Sequence, residues 1–175
     1  MDLFQALSEL IDLRSFSNVW FWIALAVVWS LTSHWILGVP FDMLLRARRD
    51  GGQAALDLED MVRISVNRRL AVNANTLGWN VASACFGLTV LLLLGFGYGL
   101  EFAQAAFLLA FPLAVIAVLN RMAARRIREA DVVGPPLYAL LSRHRRMTQF
   151  VGLLTIFVTT IWGMYQNISQ NPLGG

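Results

Sequence analysis

The sequence has no lysine, a single cysteine and few charged residues of either sign. All 14 basic residues among its 175 are arginine, which we attribute to the codon usage of a GC-rich bacterium, because a site that needs arginine would not impose it at every basic position. The lone Cys85 lies in an apolar run. It excludes an intramolecular disulfide, a thiolate zinc cluster and a cysteine-held iron–sulfur centre within one chain.

The scarcity of charge indicates the fold class. Charged residues make up 14% of the chain and hydrophobic residues 57%, whereas a soluble domain needs nearer a quarter of its residues charged to cover its surface. We therefore predict an all-α integral membrane protein, with residues 1–175 forming a single membrane domain.

Four apolar runs of about 20 residues are each long enough to cross a hydrocarbon core of about 30 Å. They predict spans over residues 18–37, 77–96, 101–119 and 147–165. The glycines Gly95, Gly97 and Gly99 predict a tight turn that makes the second and third spans an antiparallel hairpin. The Gly-Tyr-Gly in this turn matches potassium-channel filters in three residues alone and lacks their preceding Thr-Val, so we interpret it as a plain turn. Pro112 falls inside the third span, where membrane helices tolerate a kink.

The segments outside the spans also carry helical patterns. Residues 2–12 have one apolar and one acidic face, which predicts an amphipathic helix that lies at the membrane interface or packs on the bundle. The polar loop 38–76 is broken by Gly51 and Gly52, and a second polar loop covers residues 120–146. In that loop the third helix continues out of the lipid until Gly134, Pro135 and Pro136 stop it before a short separate segment.

Arginine placement predicts the topology. Six arginines lie in the first loop and seven in the second, which leaves Arg14 alone elsewhere. By the positive-inside rule both loops are cytoplasmic and both termini lie on the other side of the membrane. We expect a bacterial inner membrane, in which that other side is the periplasm. The loop arginines are Arg46, Arg48, Arg49, Arg63, Arg68, Arg69, Arg121, Arg125, Arg126, Arg128, Arg143, Arg145 and Arg146.

These arginine clusters have three interpretations: they set the topology alone, they bind anionic lipid headgroups, or they bind an acidic patch on a protein partner. Asp57, Glu59 and Asp60 alternate with arginines in a predicted helix, which favours ion pairs over nucleic-acid binding. We expect no nucleic-acid partner.

Few residues suggest chemistry, and we predict no catalytic residue, no metal site and no cofactor. His34 is the one histidine inside a span and so the weak candidate for cofactor binding. We interpret it as a structural or interfacial residue; the alternative is a haem ligand, which would need a second histidine from another subunit. Polar residues of the second and fourth spans are candidates for hydrogen bonds across helices; they are Asn80, Ser83, Thr155, Thr159 and Thr160. The one acidic residue near a span, Glu101, is expected at a surface turn, which argues against ion-coupled transport.

Four strings of the sequence carry a family resemblance: DLRSFSNVWFWIALAVVWS, SHWILGVPFDMLLRARRDGG, LEFAQAAFLLAFPL and FVTTIWGMYQN. They resemble small four-helix inner-membrane proteins of Rhodobacter-type alphaproteobacteria. Some members of that family are labelled as a component of the Suf iron–sulfur assembly complex. The residues here do not support that label, since cluster scaffolds use cysteine and this chain has only Cys85.

The sequence favours a function without catalysis. We expect an accessory or assembly subunit of a larger membrane complex, in contact with the lipid bilayer and with a protein partner or further copies of itself. The alternatives are a small oligomeric transporter or channel, and a membrane enzyme or haem carrier that uses His34.

Overall fold

The computed structural model describes residue 16 and residues 19–170. The amphipathic helix predicted over residues 2–12 lies outside them. Six α-helices and one short β-hairpin occur within the described part, so the all-α prediction is confirmed. In chain order they are α1 Val19–His34, β1 Trp35–Ile36, β2 Val39–Pro40, α2 Phe41–Asp50, α3 Gly52–Leu70, α4 Ala74–Leu92 with a π-helical turn Leu93–Gly97, α5 Glu101–Glu129 and α6 Gly134–Gln170.

Three helical segments are long and apolar enough to cross a membrane: Asn75–Gly97, Glu101–Glu129 and Gly134–Ser169. They contain the second, third and fourth predicted spans. The first predicted span, 18–37, is helical only as far as His34, so α1 has 16 residues. At 1.5 Å per residue this helix is about 24 Å long, shorter than a hydrocarbon core of about 30 Å.

A tight hairpin follows α1. Trp35 pairs with Pro40 and Ile36 with Val39 in antiparallel register. Leu37 and Gly38 form the two-residue loop with φ values of 56° and 88°, which is the pattern of a type I′ turn. Leucine rarely adopts a positive φ. Here the Leu37 side chain is buried in a hydrophobic cluster, and this burial offsets the backbone strain.

The fourth span belongs to a longer helix than predicted. We expected residues 134–136 to be followed by a short separate segment, but α6 continues without interruption for 37 residues. Pro135 and Pro136 stand in its first turn, where the missing N–H groups have no helical partner in any case. The separate segment was therefore a wrong prediction. The continuation of the third helix beyond the span is confirmed, because α5 runs to Glu129 with Pro112 inside it.

The buried residues form two clusters. The larger one joins the hairpin, α2, α3, the end of α5 and the start of α6. We call these elements together the basic layer, because they are formed mainly by the two arginine-rich segments 38–76 and 120–146. Its members include Ile36, Leu37, Val39, Leu44, Leu58, Val62, Val66, Ala124, Ile127, Leu137 and Leu141. The smaller cluster joins Leu25 and Trp29 of α1 to Ile116 of α5, with Val151 of α6 against it. Thus α1 packs beside the apolar parts of α5 and α6.

Candidate interaction site

The helix α4 is the least buried of the three long apolar helices. No residue of its most apolar window is buried, whereas 22% and 28% of the corresponding windows in α5 and α6 are buried. Trp79 and Phe86 are 75% and 72% exposed. Cβ atoms added at Gly78 and Gly87 would meet nothing within 4 Å. The described side chains of α4 are exposed or half-buried, and the helix packs chiefly against α5, so most of its surface is open to lipid or to another protein.

One face of α4 is polar or small. Thr76, Asn80, Ser83 and Gly87 are spaced by three and four residues, which places them within one narrow stripe of a helix. We call this stripe the Asn80 face. Asn80 and Ser83 are exposed, and neither side chain makes a hydrogen bond within the described part of the chain.

The depth of these groups makes their lack of a partner costly. Residue 86 is the midpoint of the apolar segment Asn75–Gly97, and Asn80 lies six residues from it, or about 9 Å along the helix axis. A hydrocarbon half-thickness is about 15 Å, so a bilayer centred on this segment would enclose the amide. An amide without a hydrogen-bond partner in hydrocarbon costs several kcal/mol. A partner that supplies hydrogen bonds to this face would be strongly favoured.

The threonines of the fourth span do not join this face. Thr155 is buried and donates to the Val151 carbonyl at 2.8 Å, and the exposed Thr160 donates to the Ile156 carbonyl at 2.8 Å. Both hydroxyls thus bond within their own helix and not across helices. Thr159 is fully buried and its hydroxyl has no partner among the described residues.

His34 is the exposed last residue of α1, and its ring meets the Trp35 ring edge-on at a centroid distance of 6.1 Å. The second histidine, His144, is buried, and its Nε2 is 2.7 Å from Asn120 Oδ1. Over residue 16 and residues 19–170, no group of three or more His, Cys, Asp or Glu side chains is placed to hold a metal ion. Cys85 is exposed on α4.

Three arginines of the predicted clusters have structural roles. Arg69 Nε donates to the Leu37 carbonyl at 3.3 Å and Arg121 Nη1 to the Arg69 carbonyl at 3.4 Å. The Arg145 guanidinium stacks 3.5 Å from the Phe41 ring centroid, a cation–π contact. Burial, and then the nearby charge of Arg68, lower the pKa of Arg69. The first contact fastens the β-hairpin to α3, the second joins α5 to α3, and the third joins α6 to the start of α2.

Of the acidic residues in the first loop, one forms the expected ion pair with an arginine and another forms a different contact. Asp60 pairs with Arg63 at 2.9 Å within α3, so the predicted helix and one predicted ion pair are confirmed. Glu59 Oε1 instead accepts the Gly134 backbone N–H at 2.9 Å, which ties α3 to the start of α6.

Comparison with known protein families, with characterised proteins and with solved structures finds no match to this chain. The resemblance drawn from the sequence strings therefore stays a prediction. Any functional conclusion rests on the geometry of this chain.

A buried polar cluster at the opposite end of the bundle from the basic layer was not predicted. Gln104 is 4% exposed. Its Nε2 donates to the Gly95 carbonyl at 2.8 Å, while its Oε1 accepts from Trp162 Nε1 at 2.9 Å and from Gln166 Nε2. One glutamine thus joins the hairpin turn, α5 and α6.

Glu101 lies in the same region. It stands at the predicted turn, but it is buried and not at the surface as expected. Its Oε1 accepts the Phe16 backbone N–H at 2.7 Å. The carboxylate therefore fastens the chain before α1 to the start of α5, which is a structural role.

Proposed function

We propose that this chain is a four-span inner-membrane protein that serves as a non-catalytic accessory or assembly subunit and docks on a larger membrane complex through the Asn80 face of α4. The observation that carries the proposal is that a long apolar helix with no buried residue in its most apolar window holds two exposed hydrogen-bonding side chains. Hydrogen bonds and close packing drive helix association in lipid, where apolar surface alone gives little. The occupant we infer is a transmembrane helix of another chain.

The packing of α1 supports its inclusion as a membrane-spanning helix in addition to the three longer ones. Leu25 and Trp29 contact the same apolar regions of α5 and α6 that the long helices would place in lipid. Gly152 of α6 lies so close to Trp29 that a Cβ atom there would be 2.7 Å from the ring. A helix of about 24 Å can span if the bilayer thins locally or flanking residues reach the interface.

The basic layer supports the proposed orientation. Both arginine-rich loops fold into one packed unit with a shared hydrophobic core, so they belong on one side of the membrane, and the positive-inside rule makes that side the cytoplasm. An enzymatic reporter inserted between Gly51 and Gly52 is expected to be active only as a cytoplasmic reporter, and one fused after Gly175 only as a periplasmic reporter. The two reporters responding on the same side would contradict the four-span arrangement.

Affinity purification tests the docking role. Tagged wild-type protein, extracted from its native membrane in mild detergent, is expected to bring down another membrane protein in stoichiometric amount. Replacing Asn80→Leu together with Ser83→Leu is expected to weaken this association about tenfold, since each hydrogen bond between membrane helices contributes about 0.6–2 kcal/mol. Quantitative mass spectrometry of the eluate gives the ratio of partner to tagged chain.

The matched control is Thr89→Val. Thr89 is exposed on the opposite side of α4 and donates to the Cys85 carbonyl at 2.8 Å, so the substitution also removes a polar group from the same helix. It should leave partner recovery unchanged. Wild-type protein that elutes without another protein would contradict the accessory role. Elution as a homo-oligomer would support the alternative of an oligomeric channel or transporter, which a liposome flux assay would then test.

A further inference from the structure

A groove runs between α5 and α6 where the two helices enter the basic layer. It consists of two adjoining cavities of about 180 Å³ and 380 Å³, which share Leu119, Arg143 and Met147. The walls are mainly apolar. Met122 completes the end nearer the basic layer, and Phe150 and Val151 complete the end nearer the apolar core of the bundle.

The polar end of the groove is cationic. Arg126 and Arg143 line the smaller cavity, and Arg143 and Arg146 line the larger one. All three side chains are exposed. Within the part of the chain that the structure describes, the ion pairs are Arg49–Asp50 and Arg63–Asp60, so none of the three groove arginines has a carboxylate partner.

The order of residues along the two helices gives the groove a direction. Leu119, Met122 and Arg126 follow one another toward the end of α5, while Phe150, Met147 and Arg143 follow one another toward the start of α6. Seven residues of helix separate the apolar end from the cationic end on each side, which is about 10 Å. A ligand that fills the groove therefore needs an apolar chain and an anionic head of matching separation.

We propose that this groove binds an anionic phospholipid, with the phosphate at Arg126 and Arg143 and an acyl chain along Leu119 and Phe150. Guanidinium groups bind phosphate oxygens through paired N–H donors, and basic pockets between membrane helices on the cytoplasmic side suit such headgroups. A zwitterionic lipid fits less well, because its ammonium group offsets the phosphate charge. The proposal rests on the membrane placement proposed above, and not on the partner helix.

Lipid retention tests the site. Wild-type protein is reconstituted in nanodiscs of equal parts phosphatidylglycerol and phosphatidylcholine, released into the gas phase and weighed by native mass spectrometry. We expect one retained phosphatidylglycerol and little phosphatidylcholine. The double substitution Arg126→Gln, Arg143→Gln should lower retention of the anionic lipid about 30-fold, since each basic residue near a membrane surface favours anionic lipid about fivefold.

The double substitution Arg46→Gln, Arg48→Gln is the matched control. Both arginines are exposed on α2 and outside the groove, so the change in net charge is the same and lipid retention should match that of the wild type. An excess of inorganic phosphate should displace no lipid, because it lacks the apolar chain.

Three results would overturn the lipid site: equal retention of the two lipids by the wild type, equal loss in both double variants, or displacement by inorganic phosphate. Protein that never enters the nanodiscs would overturn the membrane placement as well. Protein that enters them without a headgroup preference would overturn the lipid site alone.

Discussion

Replacing Gln104→Leu is expected to lower the free energy of unfolding by about 3 kcal/mol, which corresponds to a fall of about 10 °C in the midpoint of thermal unfolding in detergent. Leucine preserves the size of the side chain but removes its three hydrogen bonds. The Gly95 carbonyl and the Trp162 indole N–H would then lie in an apolar environment without partners, and each such group costs about 1–3 kcal/mol.

Two control variants distinguish the stability lost with the Gln104 hydrogen bonds from a general effect of introducing leucine. Gln166→Leu removes one of the three hydrogen bonds and should cost less than half as much. Gln53→Leu makes the same chemical change on the exposed surface of α3, where the glutamine contacts Asp57, and should change stability by less than about 0.5 kcal/mol. A Gln104→Leu protein as stable as the wild type would show that the network contributes nothing.

Replacing Gly95→Ala is expected to cost about 2 kcal/mol, because overpacking a closely packed contact costs about 1–3 kcal/mol. A Cβ atom at this position would be 2.8 Å from the Gln104 backbone nitrogen and 3.1 Å from the Ala103 carbonyl carbon. Backbone atoms cannot rotate away as a side chain can, so the two arms of the hairpin must separate. Fluorescence-detected size exclusion after a heating series measures the change.

Gly97→Ala is the control in the same π-helical turn. A Cβ atom there would meet nothing within 4 Å, and alanine is favoured over glycine in helices by up to about 1 kcal/mol. The two substitutions should therefore change stability with opposite signs. Equal effects of the two would contradict the close approach of the turn to α5.

The features of the fold that depend on apolar run length were predictable. Segments 77–96, 101–119 and 147–165 contain no helix-breaking pattern strong enough to outweigh their hydrophobicity, and each lies within a long apolar helix. The tight turn between the second and third spans also followed from local sequence, since Gly99 adopts a φ of 73° that other residues rarely adopt.

The features that depend on contacts between distant residues were not predictable. The β-hairpin after α1 needs Leu37 at a positive φ, which local preference opposes and which burial in the basic layer offsets. The continuity of α6 was missed because we gave the prolines at 135 and 136 the role of separating two segments. Their position in the first turn of a helix depends on where α5 ends.

The candidate sites also include some that local sequence could reveal and some that depend on contacts between distant residues. Asn80 and Ser83 were singled out from sequence because polar groups in an apolar run need partners, but their exposure depends on α4 packing chiefly against α5. Gln104 was missed because a single glutamine near a predicted helix start carries no pattern. Only the meeting of Gly95, Trp162 and Gln166 around it reveals its role.

Site-directed photocrosslinking in native membranes tests the central claim most directly. A benzoylphenylalanine in place of Phe86, which borders the Asn80 face and is 72% exposed, is compared with the same residue in place of Val81 on the other side of α4. The account predicts a discrete protein adduct at position 86, identified by mass spectrometry as a different membrane protein, and little protein adduct at position 81. Position 86 yielding no adduct with another protein would contradict the docking role of α4.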